Sequence, residues 1–238
     1  MDPNKITTGV YVDSEGSVHH VPTKVVVIDG KYFATINSLS GGTYSVIWHP
    51  LEFSDVANHW AKEAVNDMGS RLVIEGTGNG QFTPDQAITR AEFAAIVVRG
   101  LGLEMEQAAT PFSDVKTTDW YNSAINTAFA YQLINGFEDG MFRPDEHITR
   151  EQAMLIIAKA MKITALQTKL SVQSADVLLA PFTDSSEVSN WAISGVTDTL
   201  QAGIIMGRSS KGLAPKDDMT RAEVAEIVKR LLEKSDLI

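Results

Sequence analysis

Three tryptophans in this chain stand at the same place in the same phrase. Trp60 is followed by Gly76 and Thr89, Trp120 by Gly136 and Thr149, and Trp191 by Gly207 and Thr220, with intervals of 16 and 13 residues each time. An ungapped recurrence of that length is not a chance event, and it forces a repeat architecture. A two-helix unit of this size cannot bury its own apolar stripes, so the three units are expected to share one core.

The phrase extends in both directions. Upstream lie Phe53-Ser54-Asp55-Val56, Phe112-Ser113-Asp114-Val115 and Phe182-Thr183-Asp184-Ser185. The Phe-to-Trp interval grows from 7 to 8 to 9 residues, which marks a loop that tolerates insertion. Inside each unit come Phe82-Thr83-Pro84, Phe142-Arg143-Pro144 and Leu213-Ala214-Pro215. Ile88-Thr89-Arg90-Ala91-Glu92, Ile148-Thr149-Arg150-Glu151-Gln152 and Met219-Thr220-Arg221-Ala222-Glu223 follow, each opening an apolar run. The linker between the second and third units, about Lys162–Pro181, is longer by 10 residues and has enough apolar residues for a short helical stretch.

Each unit reads as helix, Gly-rich loop, helix. Trp60, Val65, Met68 and Leu72 recur near helical spacing, as do Ile125, Phe129 and Leu133. Gly76, Gly136 and Gly207 are expected to end the first helix in the left-handed conformation, and each loop Pro to hold the residue before it extended. The Thr then caps the second helix, with Glu92, Gln152 or Glu223 completing a capping box. The second helices would bury Phe93, Ile96 and Val97 in the first repeat and Val224, Ile227, Val228 and Leu231 in the third. Residues 1–52 differ: Val25–Ile28, Tyr32–Ile36 and Tyr44–Trp48 read as strands, with hairpin turns at Asp29-Gly30 and Gly41-Gly42. This stretch is either a small β cap on the repeats or the end of a longer β domain upstream.

The 238 residues are 44% hydrophobic and 21% charged, enough for a real core, and they carry a formal charge of −10. That charge argues against a nucleic-acid partner, which needs a basic face. There are no cysteines, which excludes disulfides, thiolate metal sites and cysteine nucleophiles. No apolar run approaches the ~18–20 residues of a membrane span, so membrane insertion is not expected. Met1-Asp2-Pro3-Asn4 lacks the basic and apolar regions of a signal peptide, so if the natural protein is exported the chain is expected to be an excised fragment.

Arg90, Arg150 and Arg221 fall at the first position of a helix, where a cation opposes the dipole by ~0.3–1 kcal/mol. Two readings account for the same wrong charge three times. An anion such as a carboxylate or phosphate sits among free N–H groups and the guanidinium, or the arginines pair internally with Asp55, Asp114, Asp184 or the Asp after a loop Pro. The tryptophans are either sugar platforms or partly buried core, the latter being the expectation, and the three entry aspartates either loop caps or ligand contacts. Gly76-Thr77-Gly78-Asn79-Gly80 follows a helix and lacks the ending of a phosphate loop. His19, His20, His49, His59 and His147 do not recur between repeats and show no metal spacing, so they are expected at the surface or in loops. No Gly-x-Ser-x-Gly elbow occurs, and no recurring carboxylate pair suits a glycosidase. No catalytic residue, metal or cofactor is expected.

The phrase Phe-x-Asp-Val, Trp, Gly-x-x-x-Gly-x-Phe-x-Pro, Ile-Thr-Arg-Ala-Glu resembles the S-layer homology (SLH) domain, in three tandem copies from about Phe53 to Leu237. The resemblance implies a mainly α, pseudo-threefold triplet of helix-loop-helix repeats around a central three-helix bundle, with a small N-terminal antiparallel β segment. It divides the chain into a β segment (1–52), repeat 1 (53–111), repeat 2 with the long linker (112–181) and repeat 3 (182–238). It implies an extracellular, Gram-positive cell-wall anchor and monomer that binds secondary cell wall polymer linked to peptidoglycan, through a terminal pyruvylated N-acetylmannosamine. Alternatives are a structural or protein-interaction module, or the C-terminal part of a surface polysaccharide-degrading enzyme.

By the same resemblance Arg90, Arg150 and Arg221 meet the pyruvyl carboxylate. Gly76, Gly78, Gly136 and Gly207 let backbone approach the sugar, while Asp55, Asp114, Asp184, Trp60, Trp120 and Trp191 shape the grooves. Glu151 places a negative charge beside Arg150. Repeat 3 departs most, with Lys211 in place of Gly80 and Gly140 and Leu213 in place of the aromatic. It is expected to be the weakest site, although Lys211 offers a positive contact. With a net charge of −10 facing an anionic polymer, attraction has to come from local positive potential at the helix starts.

Overall fold

The computed structural model describes every residue except 1–4, 14, 40, 107, 172 and 210. The opening Met1–Asn4, on which the signal-peptide reading rests, lies outside the described residues. The chain forms two compact units, one of Met1–Gln86, Ala95–Glu106 and Arg221–Ile238, the other of Ala87–Ala94 and Gln107–Thr220.

In the first unit, strands β1 (Thr8–Val12), β2 (Val18–Val21) and β5 (Thr43–Ile47) form an antiparallel sheet in the order β2-β1-β5. Strands β3 (Thr23–Ile28) and β4 (Lys31–Ile36) make a separate hairpin. Its turn is Asp29-Gly30, both at positive φ, as a tight two-residue connection requires. The spacing of β-branched residues anticipates β3, β4 and β5 but not β1 and β2. Nor is Gly41-Gly42 a hairpin turn, because β5 pairs with β1, Val10 lying opposite both His20 and Ser45. Burial goes with this pairing: Thr8, Gly9 and Val10 of β1 are inside, whereas β4 is largely exposed.

The β segment packs on the helices of its own unit. Helix α1 (Lys62–Ser70) receives it at its end, where Leu51 N–H donates to Ser70 Oγ at 2.9 Å and the Ser70 carbonyl meets His49 Nδ1 at 3.0 Å. Helix α2 (Arg90–Gly100) belongs to both units. Helix α7 (Arg221–Lys234) buries Val224, Ile227, Val228 and Leu231, the stripe read from sequence, and packs on α1.

The second unit holds α3 (Asn122–Ala130), α4 (Arg150–Ile163), α5 (Ala175–Leu179) and α6 (Ile193–Gln201). The long linker contributes α5 and a 3-10 turn at Leu166–Lys169. Helix α6 packs closely on α4, so closely that a Cβ on Gly195 would lie 2.7 Å from Leu155 Cα. Three buried residues in this unit close a circle of backbone bonds. Ile88 N–H donates to the Met219 carbonyl at 2.9 Å, Met219 N–H to Ile148 at 3.0 Å and Ile148 N–H to Ile88 at 3.1 Å.

Two local expectations are corrected. The first helices end at Leu72, Gln132 and Gly203, which take positive φ, and not at Gly76, Gly136 and Gly207. Those three positions lack a side chain because of packing. A Cβ on Gly76 would lie 2.7 Å from the Phe53 ring and 2.6 Å from the Gln81 carbonyl. Gly136 is closed off in the same way by Phe112 and the Met141 carbonyl, and Gly207 by Phe182 and the Ser209 carbonyl. Second, the residue before each loop Pro is not extended: Thr83, Arg143 and Ala214 have φ of 53, 59 and 54°. An aspartate accepts from the N–H of each and holds it there.

Candidate functional site

Each entry aspartate clamps a loop. Asp55 accepts from Phe82 N–H at 2.9 Å and Thr83 N–H at 2.7 Å, Asp114 from Phe142 at 2.8 Å and Arg143 at 2.7 Å, and Asp184 from Leu213 at 2.9 Å and Ala214 at 2.7 Å. Burial pushes the Asp55 and Asp184 carboxyls up, but these bonds outweigh it and leave both below the ordinary aspartate pKa. Of the two readings for the aspartates, the geometry supplies the cap.

The clamped loops present their carbonyls to the three arginines. Arg90 Nε donates to Phe142 O, Arg150 Nε to Leu213 O and Arg221 Nε to Phe82 O, each at 2.9 Å. Exposures of 7, 3 and 7% make these buried cations. The helix-terminal N–H groups are not free, in contrast to the sequence reading. Arg90 N–H and Ala91 N–H donate to Glu146 O and Pro144 O, and the matching pairs donate to Asp217 and Pro215 and to Gln86 and Pro84, all at 2.8–3.0 Å. The next N–H in α2 is taken by the capping box, with Glu92 N–H to Thr89 Oγ1 at 3.2 Å and Thr89 N–H to Glu92 Oε2 at 2.9 Å.

The three arginines differ in what remains. Arg150 Nη2 donates to Met206 O at 3.0 Å and Arg221 Nη2 to Glu75 O at 2.7 Å. Arg90 instead uses Nη1, toward Gln152 Oε1 at 3.2 Å, and among the described residues no protein acceptor meets its Nη2. Its guanidinium lies 4.7 Å from the ring centres of both Phe137 and Phe142. Burial, with repulsion from Arg143 and against attraction from Glu146 and Asp114, pulls its pKa down to about 10, so it is charged at neutral pH.

Arg90 opens into a groove of about 590 Å³ within the second unit. The loop from Ile134 to Asp139 forms one wall, including Gly136 and Phe137; Gln152, Leu155, Ile156 and Lys159 of α4 line another, and Trp191 and Arg143 complete it. Arg143 stacks 4.0 Å from the Phe137 ring centre and pairs with Asp139 at 3.0 Å. Of the sequence candidates, the groove brings together Arg90, Gly136 and Trp191.

The other candidates lie elsewhere. Trp60, Trp120 and Trp191 are 63, 66 and 52% exposed, so the expectation of core is corrected: each follows a turn that faces its ring outward. Gly78 sits in a tight turn with Gln81, and the Lys211 side chain is exposed while its carbonyl accepts from Thr183 N–H at 2.8 Å. Glu151 is turned away from Arg150. It accepts from Ser189 N–H at 2.9 Å and pairs with Lys216 at 2.6 Å. His20, expected at the surface or in a loop, is buried against Thr8, its Nδ1 3.0 Å from Oγ1. Among the described residues no cluster of three or more His, Asp or Glu is placed to hold a metal, and no helix is long and apolar enough to cross a membrane.

Sequence reasoning missed Phe137, Arg143 and Lys159. Lys159 was legible in principle, since Arg99, Lys159 and Arg230 all stand 10 residues after the capping Thr.

The sequence pattern of the S-layer homology domain matches residues 52–94, 111–154 and 181–225, more than half of the chain. The chain belongs to the S-layer homology family. Among relatives, the SLH chain is 33% identical over 98% of its length to an amylopullulanase of Thermoanaerobacterium thermosulfurigenes, of which it spans 12%. That match takes in the N-terminal strands as well as the repeats. It is 35% identical over 83% of its length to exoglucanase XynX of Acetivibrio thermocellus, spanning 18% of that protein. It is 31% identical over 78% of its length to a surface-layer 125 kDa protein of Lysinibacillus sphaericus, spanning 15%. The SLH chain thus covers less than a fifth of these relatives. It is an extracellular, cell-wall-associated anchoring module.

Proposed function

We propose that the module anchors its parent polypeptide non-covalently by binding secondary cell wall polymer, with a terminal pyruvylated N-acetylmannosamine in the Arg90 groove. The observation that carries this reading is the pairing, in one groove, of a guanidinium edge that meets no protein acceptor among the described residues and a half-exposed tryptophan face. The Nη2 edge suits a carboxylate and the indole face a pyranose. Arg150 and Arg221 form weaker sites, because their Nη2 groups already hold carbonyls. Trp60 and Trp120 shape the remaining grooves, and Asp55, Asp114 and Asp184 hold the loops. Gly76, Gly78 and Gly207, with Lys211, act in those loops.

The module is a monomer of a β segment (1–52) and repeats at 53–111, 112–181 and 182–238, arranged with pseudo-threefold symmetry about a bundle of the second helices. The cyclic order of the Arg-to-loop bonds supports that arrangement. No catalytic role is assigned to it. The relatives named as polysaccharide-acting enzymes support a passenger domain outside this chain.

Calorimetric titration of the intact chain with pyruvylated N-acetylmannosamine tests the reading. Saturable binding that falls about tenfold or more in Arg90→Ala, with a smaller loss in Arg150→Ala, is expected. Absence of wild-type binding to both the saccharide and purified wall polymer overturns it.

A further inference from the structure

Repeat 2 differs from its sisters in one consistent respect. The basic residue 10 positions after the capping Thr has an acidic partner in the other two repeats: Arg99 pairs with Glu75 at 2.8 Å and Arg230 with Glu226 at 2.7 Å. Lys159 occupies that position in repeat 2 and has no carboxylate within ion-pair distance among the described residues. The sequence explains why. Aligned on the capping Thr and the loop Gly, Glu75 corresponds to Asn135 and Glu226 to Leu155, so both partners are neutral. A third acid is missing as well, since Gln152 stands where the other repeats have Glu92 and Glu223. All three neutral residues line the groove that Arg90 and Lys159 share.

The groove therefore retains positive charge at two separate points. Gln152, which Arg90 touches, and Lys159 are seven residues apart on α4, on one helix face and about 10 Å apart along its axis. Of the acids in the groove lining, Asp139 is occupied by Arg143, and Glu138 is exposed to solvent and screened. Lys159 is half-buried, and burial together with neighbouring Lys162 pulls its pKa down, the behaviour of an ammonium without a counter-ion.

We propose that the groove binds a saccharide bearing two anionic groups on separate sugar residues, one met by Arg90 and the other by Lys159. This rests on the groove being the wall-polymer site and adds the requirement that its preferred ligand is an internally charged oligosaccharide, longer than a single acidic sugar.

The test is calorimetry on the full chain with two probes: the methyl glycoside of pyruvylated N-acetylmannosamine, and an oligosaccharide of the same sugars carrying a second pyruvyl ketal. The wild type binds the dianion about tenfold or more tighter. Lys159→Met abolishes that advantage and weakens the monoanion far less than the dianion, whereas Lys159→Arg, the sister-repeat residue, preserves it. Equal wild-type affinity for the two probes overturns the second subsite, as does equal weakening of both by Lys159→Met. If Arg90→Ala abolishes monoanion binding while Lys159→Met changes nothing, the anchoring site stands and the second subsite falls. If neither probe binds the wild type, both fall.

Discussion

Arg90 and Phe142 meet twice: Nε donates to the Phe142 carbonyl at 2.9 Å, and the guanidinium lies 4.7 Å from the ring of the same residue. One side chain thus fixes a loop through backbone and ring together while its far edge faces the groove. Lysine keeps the charge but neither the fork nor the stacking plane. Arg90→Lys is expected to destabilise the fold by about 1–3 kcal/mol in urea titration and to lose the saccharide. Arg150 Nε meets the carbonyl of Leu213, a residue that carries no ring of its own.

Gln152→Glu separates folding from binding. Glu92 makes the same capping box in repeat 1, so α4 should tolerate the change within about 0.5 kcal/mol. The new carboxylate would sit where Oε1 now meets Arg90, 3.2 Å away. Anion affinity is expected to fall about tenfold with the melting temperature nearly unchanged.

Gly136→Ala should fail for steric reasons. Its methyl would run into the Phe112 ring and lie 2.8 Å from the Met141 carbonyl, backbone that cannot retreat without moving the groove wall. A loss of about 1–3 kcal/mol is expected, with weakened binding in whatever fraction folds.

Trp191→Ala gives the opposite pattern. The ring is half exposed, so stability should shift by less than about 1 kcal/mol while saccharide affinity drops. Raised salt should weaken the wild type further, because the groove is open to solvent.

Buried His20 predicts a pH dependence. Its pKa falls from 6.5 to about 3, first through burial and then through Arg71. The fold therefore takes up the proton less readily than the unfolded chain. Its contribution is complete above pH 6.5 and is lost as pH falls toward 3. Stability is expected to drop by about 2 kcal/mol between pH 7 and 5, read from urea midpoints. His20→Asn, which preserves a partner for Thr8, should flatten that interval.

The helical part of the fold was legible because spacing and cap chemistry agree there, as at Thr89 with Glu92. Strands β1 and β2 were not, since Gly9 and the His19-His20 pair interrupt the alternation that marks a strand. Gly76 and its counterparts were recognised as special for the wrong reason. A loop glycine suggests positive φ, and nothing local in sequence announces a phenylalanine from 23 residues upstream. Arg90 was legible as an anomaly of charge, but its open Nη2 edge was not, because Arg90 and Arg221 share the same neighbours, Thr before and Ala-Glu after, and only one of them holds a carbonyl through Nη2. Lys159 stands out only in the folded chain, where Asn135 and Leu155, the neutral counterparts of the acids in the other repeats, line the same groove.

The circle of bonds from Ile88 to Met219 to Ile148 has no beginning and no end. Deleting one repeat would leave a donor and an acceptor stranded in the core, and adding a fourth would find no vacancy to join. The three repeats are therefore expected to melt together and not one at a time, each holding a bond that the next one closes.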